Sequence, residues 1–228
     1  MPIIASLASA SKRGFEGMGS TVNYSNLFVS SQTDYISMPA SSNLAPGNSA
    51  FTIEFFFYPN SATFQSIFSC GYLSGSFGGF EIAIDSTGIP RLIKESVTYV
   101  SSIAINSGAW NYVCFTRRNT SAGGAQFFIN GSSATAAQVN NNFTDPASFN
   151  TTIGIRRSAL TTPANAYISN LRYRIGVGVS SAPVPTSPLT NDANTRLLTC
   201  QSATIVDNAS PPNTLTNNGV TVSTIAPF

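Results

Sequence analysis

The chain has 228 residues, of which 11 are Lys or Arg and 9 are Asp or Glu, and it contains no histidine. Its net charge of +2 is too small to favour nucleic-acid binding through bulk electrostatics. The missing histidine removes the commonest general base and the commonest metal ligand. Charged residues make up 9% of the chain, against about 25% in an average soluble protein. Solubility therefore depends on Ser, Thr and Asn, which is more typical of a rigid protein with large buried contacts than of a cytosolic enzyme.

The first 20 residues are predicted to form an extended arm. The apolar stretch around Ile3 and Ile4 is short, and Lys12 and Arg13 follow it, whereas the positive charges of a signal peptide come first. We expect these four residues to contact a partner, the alternative being a frayed terminus. Residues 21–228 are assigned to a single domain. No stretch has the length of a transmembrane helix, so membrane insertion is not expected.

The cysteines do not indicate a metal site. Cys70, Cys114 and Cys200 are widely spaced and form no Cys-x-x-Cys pair, which argues against zinc. They are interpreted as small buried apolar residues, with one bonded pair as the alternative.

The strongest strand signal is residues 51–59, which alternate with period two and end at Pro59. One face is wholly apolar, so a second layer must cover it, and this run is predicted to be the central strand of a sandwich. The other face carries Phe56 and Tyr58. These aromatic side chains need either covering loops, a neighbouring subunit or a ligand. The inward-facing residues are Phe51, Ile53, Phe55 and Phe57.

Further short strands are separated by turns rich in Gly, Pro and Asn. No convincing amphipathic helix is found, so the chain is predicted to be an all-β jelly-roll sandwich of two antiparallel sheets. Residues 134–150 and 207–219 are predicted to be polar loops. The additional strands are expected at 27–29, 35–39, 66–71, 80–85, 90–94, 97–105, 110–117, 126–130, 151–155, 167–175, 196–200 and 220–225.

Two further features lie in the C-terminal third of the chain. Alternation over residues 167–175 places Tyr167 on the same face as Leu171 and Tyr173. Residues 180–194, called the Pro-rich segment below, contain three prolines and are predicted to cross the surface without regular structure.

The order of these motifs resembles the laminin-G-like, concanavalin A-like jelly-roll superfamily over residues 27–177. The C-terminal part of the chain resembles a variant common in virion proteins of bacteriophages and environmental viruses, through residues 197–202, 207–208 and 218–219. The motifs that carry the superfamily resemblance are Asp34–Pro39, Phe51–Phe57, Gly88–Pro90, Trp110–Val113, Phe127–Gly131 and Ala166–Tyr173.

The resemblance implies a binding or structural module, often for carbohydrate and sometimes with calcium. The chain departs from the family by having Phe56 where Trp is common and Tyr112 where His is common. We expect a non-enzymatic virion protein of a phage-like virus, displayed on capsid or tail and made in the host cytoplasm. Its partners would be other virion proteins or further copies of itself. The alternative is a carbohydrate-binding receptor module for a host-surface glycan, and a less favoured one is a glycoside hydrolase.

Glycoside hydrolysis needs two carboxylates about 5–9 Å apart across a groove. Related glucanases carry Glu-x-Asp-x-x-Glu on one strand, and nothing here matches that motif. Glu81 and Asp85 share a strand face, but four residues of strand separate them by about 13 Å. We therefore predict no catalytic residue.

Candidate ligand contacts are aromatic platforms and paired basic residues. The candidate platforms are Phe56, Tyr58, Tyr99 and Trp110. For Trp110 a place in the core is favoured, because Tyr112 and Cys114 share its face.

The paired basic residues Arg172 and Arg174 could meet anionic glycans or acidic subunits, or form a solvated face. Calcium is the one possible cofactor, with Asp145 beside Asn140–Asn142 as its weak candidate, the alternative being an Asn-rich turn.

Overall fold

The computed structural model describes residues 22–30, 33–71, 79–94, 97–137, 143, 147, 149–157 and 160–228. The predicted arm and the calcium candidate Asp145 lie outside these residues. Within them, no α-helix is present, and one 3-10 turn spans Ser42–Leu44. No helix in this part of the chain is long and apolar enough to cross a membrane.

The described residues form fifteen strands in two sheets, and all neighbouring strands are antiparallel. The strands of the eight-stranded sheet are β1 (Ser25–Val29), β3 (Phe51–Pro59), β8 (Asn111–Arg117), β9 (Ala125–Ile129), β10 (Ser132–Ala137), β12 (Asn165–Ile175), β13 (Thr195–Thr199) and β15 (Thr221–Ser223). Their order is β10-β9-β8-β3-β12-β1-β15, with β13 paired to β12.

The seven-stranded sheet forms the second layer. Its strands are β2 (Tyr35–Met38), β4 (Gln65–Cys70), β5 (Phe80–Ile84), β6 (Pro90–Lys94), β7 (Val97–Val100), β11 (Thr151–Ile153) and β14 (Thr216–Asn218). Their order is β14-β2-β11-β4-β5-β6-β7. The prediction of an all-β sandwich with two antiparallel sheets is confirmed.

Aromatic side chains fill the space between the sheets. The four inward residues of β3 are completely buried, as their alternation predicts. The Phe51 ring lies 5.6 Å from Phe80 of the opposite sheet and 5.7 Å from Phe115 of the neighbouring strand. Such pairs add to the stability gained from burial of apolar area. All three cysteines are buried and free, so the alternative of a bonded pair is wrong.

Two strands extend into regions predicted as loops. β14 lies within residues 207–219, and β10 extends into residues 134–150. Each is the outermost strand of its sheet. An edge strand needs only backbone pairing and can expose its side chains to water, so its sequence need not be apolar.

A β-bulge divides β12 into two halves. Asn170 and Leu171 together lie opposite Phe55 of β3, and Asn170 has a φ of 52°. One extra residue reverses which face the following side chains point to. Leu171 and Tyr173 are therefore in the core, whereas Tyr167 points to the opposite face. The prediction that Tyr167 shares a face with Leu171 is wrong for this reason.

Asn170 also holds the Pro-rich segment against the sheet. Its side-chain oxygen accepts a hydrogen bond from the Leu189 N–H at 2.8 Å, and its amide nitrogen donates to the Ser169 hydroxyl at 2.8 Å. Earlier in the chain, the Thr52 hydroxyl donates to the Val177 carbonyl at 2.9 Å. These bonds fix residues 177–189 across the outside of the eight-stranded sheet.

Substitutions at Asn170 should separate its backbone role from its side-chain role. Asn170→Gly preserves the positive φ but removes the bond to Leu189, so we expect a loss of about 1 kcal/mol in unfolding free energy. Asn170→Val adds a β-branched residue in a left-handed conformation, and we expect a total loss of about 2–4 kcal/mol. Urea unfolding of both variants measures the difference. A valine variant as stable as the glycine variant would contradict the bulge geometry.

Candidate functional site

The candidate site lies on the face of the eight-stranded sheet that points away from the core, called the outer face below. On β3 this face carries Thr52, Glu54, Phe56 and Tyr58, because their neighbours point inward. Three of these four side chains are buried, even though they lie outside the inter-sheet core. The outer face is therefore partly covered by a third layer of chain.

Three aromatic side chains at one end of the outer face form a group, called the aromatic triangle below. The Tyr58 ring lies 5.8 Å from the Trp110 ring and 6.1 Å from the Tyr167 ring. The Trp110 and Tyr167 rings are 6.4 Å apart. Tyr58 and Tyr167 are opposite each other on β3 and β12, and the bulge at Asn170 allows Tyr167 to face outward.

The aromatic triangle has the properties of a ligand platform. All three side chains are half-buried, so each retains exposed ring surface. Among the described residues, neither tyrosine hydroxyl nor the indole N–H has a hydrogen-bond partner. Flat aromatic surface with polar tips is the chemistry that stacks under a sugar ring and bonds its hydroxyls. Trp110 was expected in the core, but it lies at the edge of the outer-face cluster with Tyr112.

Phe56 is covered and is not part of this platform. Its ring packs 5.2 Å from the Tyr112 ring and 5.0 Å from the Phe228 ring, and only 4% of Phe56 is exposed. Of the alternatives for Phe56, burial under another segment of the chain is therefore the one observed.

A charged cluster occupies the other end of the outer face. The Glu54 carboxylate is 4% exposed, and its Oε1 accepts from Arg172 Nε at 3.0 Å and Nη2 at 2.8 Å. Arg174 Nη2 lies 3.1 Å from the same oxygen, and the Tyr112 hydroxyl donates to Oε2 at 2.5 Å. A carboxylate removed from water needs this number of donors, because an unpaired buried charge is costly.

Tyr112 takes part in this cluster as a neutral donor. Burial, together with the nearby Cys114 and Glu54, raises the pKa of Tyr112 well above its ordinary value. Its hydroxyl therefore stays protonated and continues to donate to Glu54 at any physiological pH.

A cavity of about 510 Å³ opens beside the charged cluster. Its floor is the outer face of the sheet, and its wall is the Pro-rich segment from Ser181 to Thr190. Arg172 Nη1 donates to the Thr190 carbonyl at 2.8 Å and so joins the wall to the floor. Cavities of this size are in the range of small-molecule sites. The floor residues that line it are Glu54, Tyr112, Cys114, Arg172 and Arg174.

The structure thus places four of the five predicted ligand-binding residues on one face, where Phe56 is covered, and leaves the fifth on the other sheet. Tyr58, Arg172 and Arg174 lie on the outer face with usable surface. Tyr99 lies on β7 of the seven-stranded sheet and packs against the inter-sheet core. It lies on the other layer of the sandwich from the outer-face residues.

Arg117 has a structural role. Its side chain is completely buried. Its guanidinium lies 4.8 Å from the ring centres of Phe51 and Phe143 and donates to the Gly47 and Ser49 carbonyls. Burial lowers the pKa of Arg117 to about 10. Cation–π contacts and carbonyl acceptors make this burial tolerable.

The two carboxylates weighed for hydrolysis are both engaged in ion pairs. Glu81 is completely buried and accepts from Arg156 Nε at 2.9 Å, and burial raises the pKa of Glu81 above its ordinary value despite that guanidinium. Asp85 accepts from the backbone N–H groups of Thr87 and Ile89 and from Arg91. In the part of the chain that the structure describes, no three Cys, Asp or Glu side chains lie close enough together to hold a metal ion.

Sequence reasoning missed Glu54, Tyr112 and Tyr167 as members of the site. Glu54 offered a signal, because a lone acidic residue between aromatic residues on a central strand needs a cationic partner. Tyr167 offered no such signal, because the bulge at Asn170 cannot be recognised from a period-two pattern and without it Tyr167 shares a face with Leu171.

The sequence matches a known superfamily. Residues 30–173, well over half of the chain, match the family model of the concanavalin A-like lectin/glucanases superfamily. The chain belongs to this superfamily. No curated protein sequence matches the chain.

Solved structures show the same fold at low sequence identity. A proposed carbohydrate-binding protein from Bacteroides ovatus superposes with a TM-score of 0.61 and 16% identity, over 91% of this chain and 62% of that protein. The heptameric SAP-like pentraxin of Limulus polyphemus gives a TM-score of 0.52 and 15% identity, over 89% of this chain and 95% of that one. The chain therefore spans less than two thirds of the Bacteroides protein.

The turn at Asp85 gives a pH-dependent prediction. Burial favours the protonated acid, but bonds from Thr87, Ile89 and Arg91 outweigh it and lower the pKa of Asp85 to about 2. Because the pKa of Asp85 is lower in the folded state, its ionised carboxylate stabilises the fold at pH values above the unfolded-state pKa, which is near 4. This stabilisation is lost as the pH falls towards 2. Asp85→Asn should therefore cost about 1–3 kcal/mol at pH 7, and the cost should shrink between pH about 4 and about 2.

Urea unfolding across this pH range measures the effect. The matched control is Asp34→Asn. Within the described residues Asp34 accepts one long hydrogen bond, of 3.3 Å from Thr33 Oγ1, so the substitution should change stability by less than about 0.5 kcal/mol. A cost of Asp85→Asn that is the same at pH 7 and pH 2 would contradict the role of the ionised carboxylate.

Proposed function

We propose that this chain is a non-catalytic carbohydrate-binding module that holds a glycan on the outer face of the eight-stranded sheet. The observation that carries the proposal is the aromatic triangle of Tyr58, Trp110 and Tyr167, whose rings are half-exposed and whose polar tips have no partner among the described residues. Membership of a lectin/glucanase superfamily and the similarity to a proposed carbohydrate-binding protein support the same function.

The engagement of the acidic side chains supports a role without catalysis. A retaining or inverting glycosidase needs two carboxyl groups that face a glycosidic bond. Glu81 and Asp85 are occupied by Arg156 and Arg91, and Glu54 is occupied by two arginines and Tyr112. All three carboxylates are buried, so each depends on these partners to compensate its charge.

Placement on a virion stays a prediction, as do other virion proteins and further copies of the chain as partners. The predicted placement rests on the resemblance of the C-terminal part of the chain to virion proteins. It is compatible with glycan binding, because an adhesion protein on a virion must recognise a host surface. If mass spectrometry of purified virus particles finds no trace of the chain, the predicted placement on a virion is wrong.

The proposed function predicts that a glycan array of neutral and acidic oligosaccharides will contain ligands for the purified protein. The chain has one tryptophan, and it lies in the aromatic triangle, so its emission should change saturably as a ligand is added. Tyr58→Ala removes part of the platform and should weaken binding at least about tenfold, as loss of an aromatic contact residue commonly does.

Tyr99→Ala is the matched control, because it deletes the same half-buried side chain from the opposite sheet. It should leave affinity within about twofold of the original protein, which is about 0.4 kcal/mol. Thermal unfolding of both variants checks that each is folded. An array without any bound glycan, or equal losses in the two variants, would overturn the proposed function.

A further inference from the structure

A pocket lies on the side of the seven-stranded sheet that points away from the core, and it is called the Arg157 pocket below. Tyr35 and Ser37 of β2 point to this side, because Ile36 and Met38, which alternate with them, are buried in the core. Thr152 of β11 lies opposite Ser37. The pocket has a volume of about 340 Å³, which is in the range of small-molecule sites. Its described lining residues are Tyr35, Ser37, Asn150, Thr152, Arg157 and Leu160.

Arg157 is held in position through both its backbone and its side chain. Its backbone N–H donates to the Ser69 hydroxyl at 3.3 Å, and Ser69 lies opposite Thr152 on the neighbouring strand. Its guanidinium lies 4.9 Å from the centre of the Phe149 ring. A cation–π contact fixes the position of the charge but uses none of the five N–H donors of the guanidinium. The half-buried side chain is therefore placed while its donors stay available.

Three hydrogen-bond donors that line the Arg157 pocket are unused. The other described arginines bind a carboxylate or a backbone carbonyl, as Arg156 does with Glu81. Among the described residues, the Arg157 guanidinium has neither kind of partner. The Tyr35 hydroxyl and the Asn150 amide also have no hydrogen-bond partner there. Convergent donors in one pocket indicate a ligand that supplies acceptors.

The charge of Arg157 is not balanced by the described lining of the pocket, which includes no acidic residue. Glu81 is on the same side of the sheet, opposite Ser69, but it is completely buried and paired with Arg156. Asp34 precedes β2, and its carboxylate lies against Gly219 and accepts from Thr33 Oγ1. Neither acid forms an ion pair with Arg157. The described lining therefore carries one positive charge.

We propose that the Arg157 pocket binds the carboxylate, phosphate or sulfate group of a small anionic ligand, with Arg157, Tyr35 and Asn150 as the donors. A guanidinium binds such groups through two parallel N–H bonds, and charge-assisted bonds are about twice as strong as neutral ones. A neutral hydroxyl could accept one bond, but it would bring no charge to offset that of Arg157. The pocket lies on the other sheet from the aromatic triangle, so the proposal does not rest on the proposed function.

NMR titration of the isotope-labelled protein with inorganic phosphate, sulfate and acetate at low ionic strength is the direct test. At least one of these anions should cause saturable chemical-shift changes at the Arg157 guanidinium and at the backbone amides of Asn150 and Thr152. Added sodium chloride should weaken the binding, because salt screens the attraction. The order of affinities distinguishes a planar carboxylate from a tetrahedral phosphate or sulfate.

Two substitutions assign the binding to the pocket. Arg157→Gln should weaken it at least about tenfold, and Arg157→Lys should retain part of it, because lysine preserves the charge but not the planar donors. Asn150→Asp places a carboxylate beside the anion and should also weaken binding at least about tenfold. Asn150 is exposed and makes no hydrogen bond to the described residues, so this variant should stay folded. Thermal unfolding of each variant checks the fold.

Arg118→Gln is the matched control. Arg118 is an exposed arginine just after β8 of the eight-stranded sheet, where it donates to the Gly123 carbonyl. Its replacement removes the same charge from the protein and should leave anion affinity within about twofold of the original. The absence of saturable shifts at Arg157 with all three anions, or equal losses in Arg157→Gln and Arg118→Gln, would overturn the proposal.

Discussion

The backbone of Asn170 is the constraint on which both ends of the outer face depend. Its positive φ accommodates one extra residue in β12 opposite Phe55. Before the bulge, Tyr167 points outward and completes the aromatic triangle with Tyr58. After it, Arg172 points outward and reaches Glu54 on the neighbouring strand. A regular strand would turn one of these two groups into the core.

The outer face needs a third layer because β3 carries side chains that must be buried on both of its faces. Its inner residues meet the seven-stranded sheet, and its outer residues include a buried carboxylate and a buried phenylalanine. The Pro-rich segment covers the charged end, and Phe228 covers Phe56. The aromatic triangle remains half-exposed, and its free ring surface gives a physical reason to place a ligand there. The low charge content of the chain agrees with so much buried surface.

Local alternation predicted the architecture well where each strand is regular. Residues 51–57 alternate without interruption, and every inward residue predicted there is buried. Alternation could not predict β12, because a bulge is set by contacts with the partner strand and not by the pattern of its own sequence. Edge strand β14 was not predicted because its sequence is polar and does not alternate. An exposed strand that pairs only through its backbone tolerates such a sequence.

The site was only partly predictable for similar reasons. Tyr58, Arg172 and Arg174 could be selected because their residue types suit a glycan and their strands were correctly placed. Tyr99 has the same chemistry as Tyr58, and only the sheet order shows that it lies on the other layer. The burial of Arg117 between Phe51 and Phe143 depends on the partner rings and the Gly47 and Ser49 carbonyls, which lie far from it in sequence.

A crystal structure of the protein with an oligosaccharide selected from the array will show whether glycan binds to the outer face of the eight-stranded sheet. We expect a sugar ring stacked on Tyr58, Trp110 or Tyr167. A glycan bound to the seven-stranded sheet or along edge strand β7, with the aromatic triangle unoccupied, would rule out the proposed function.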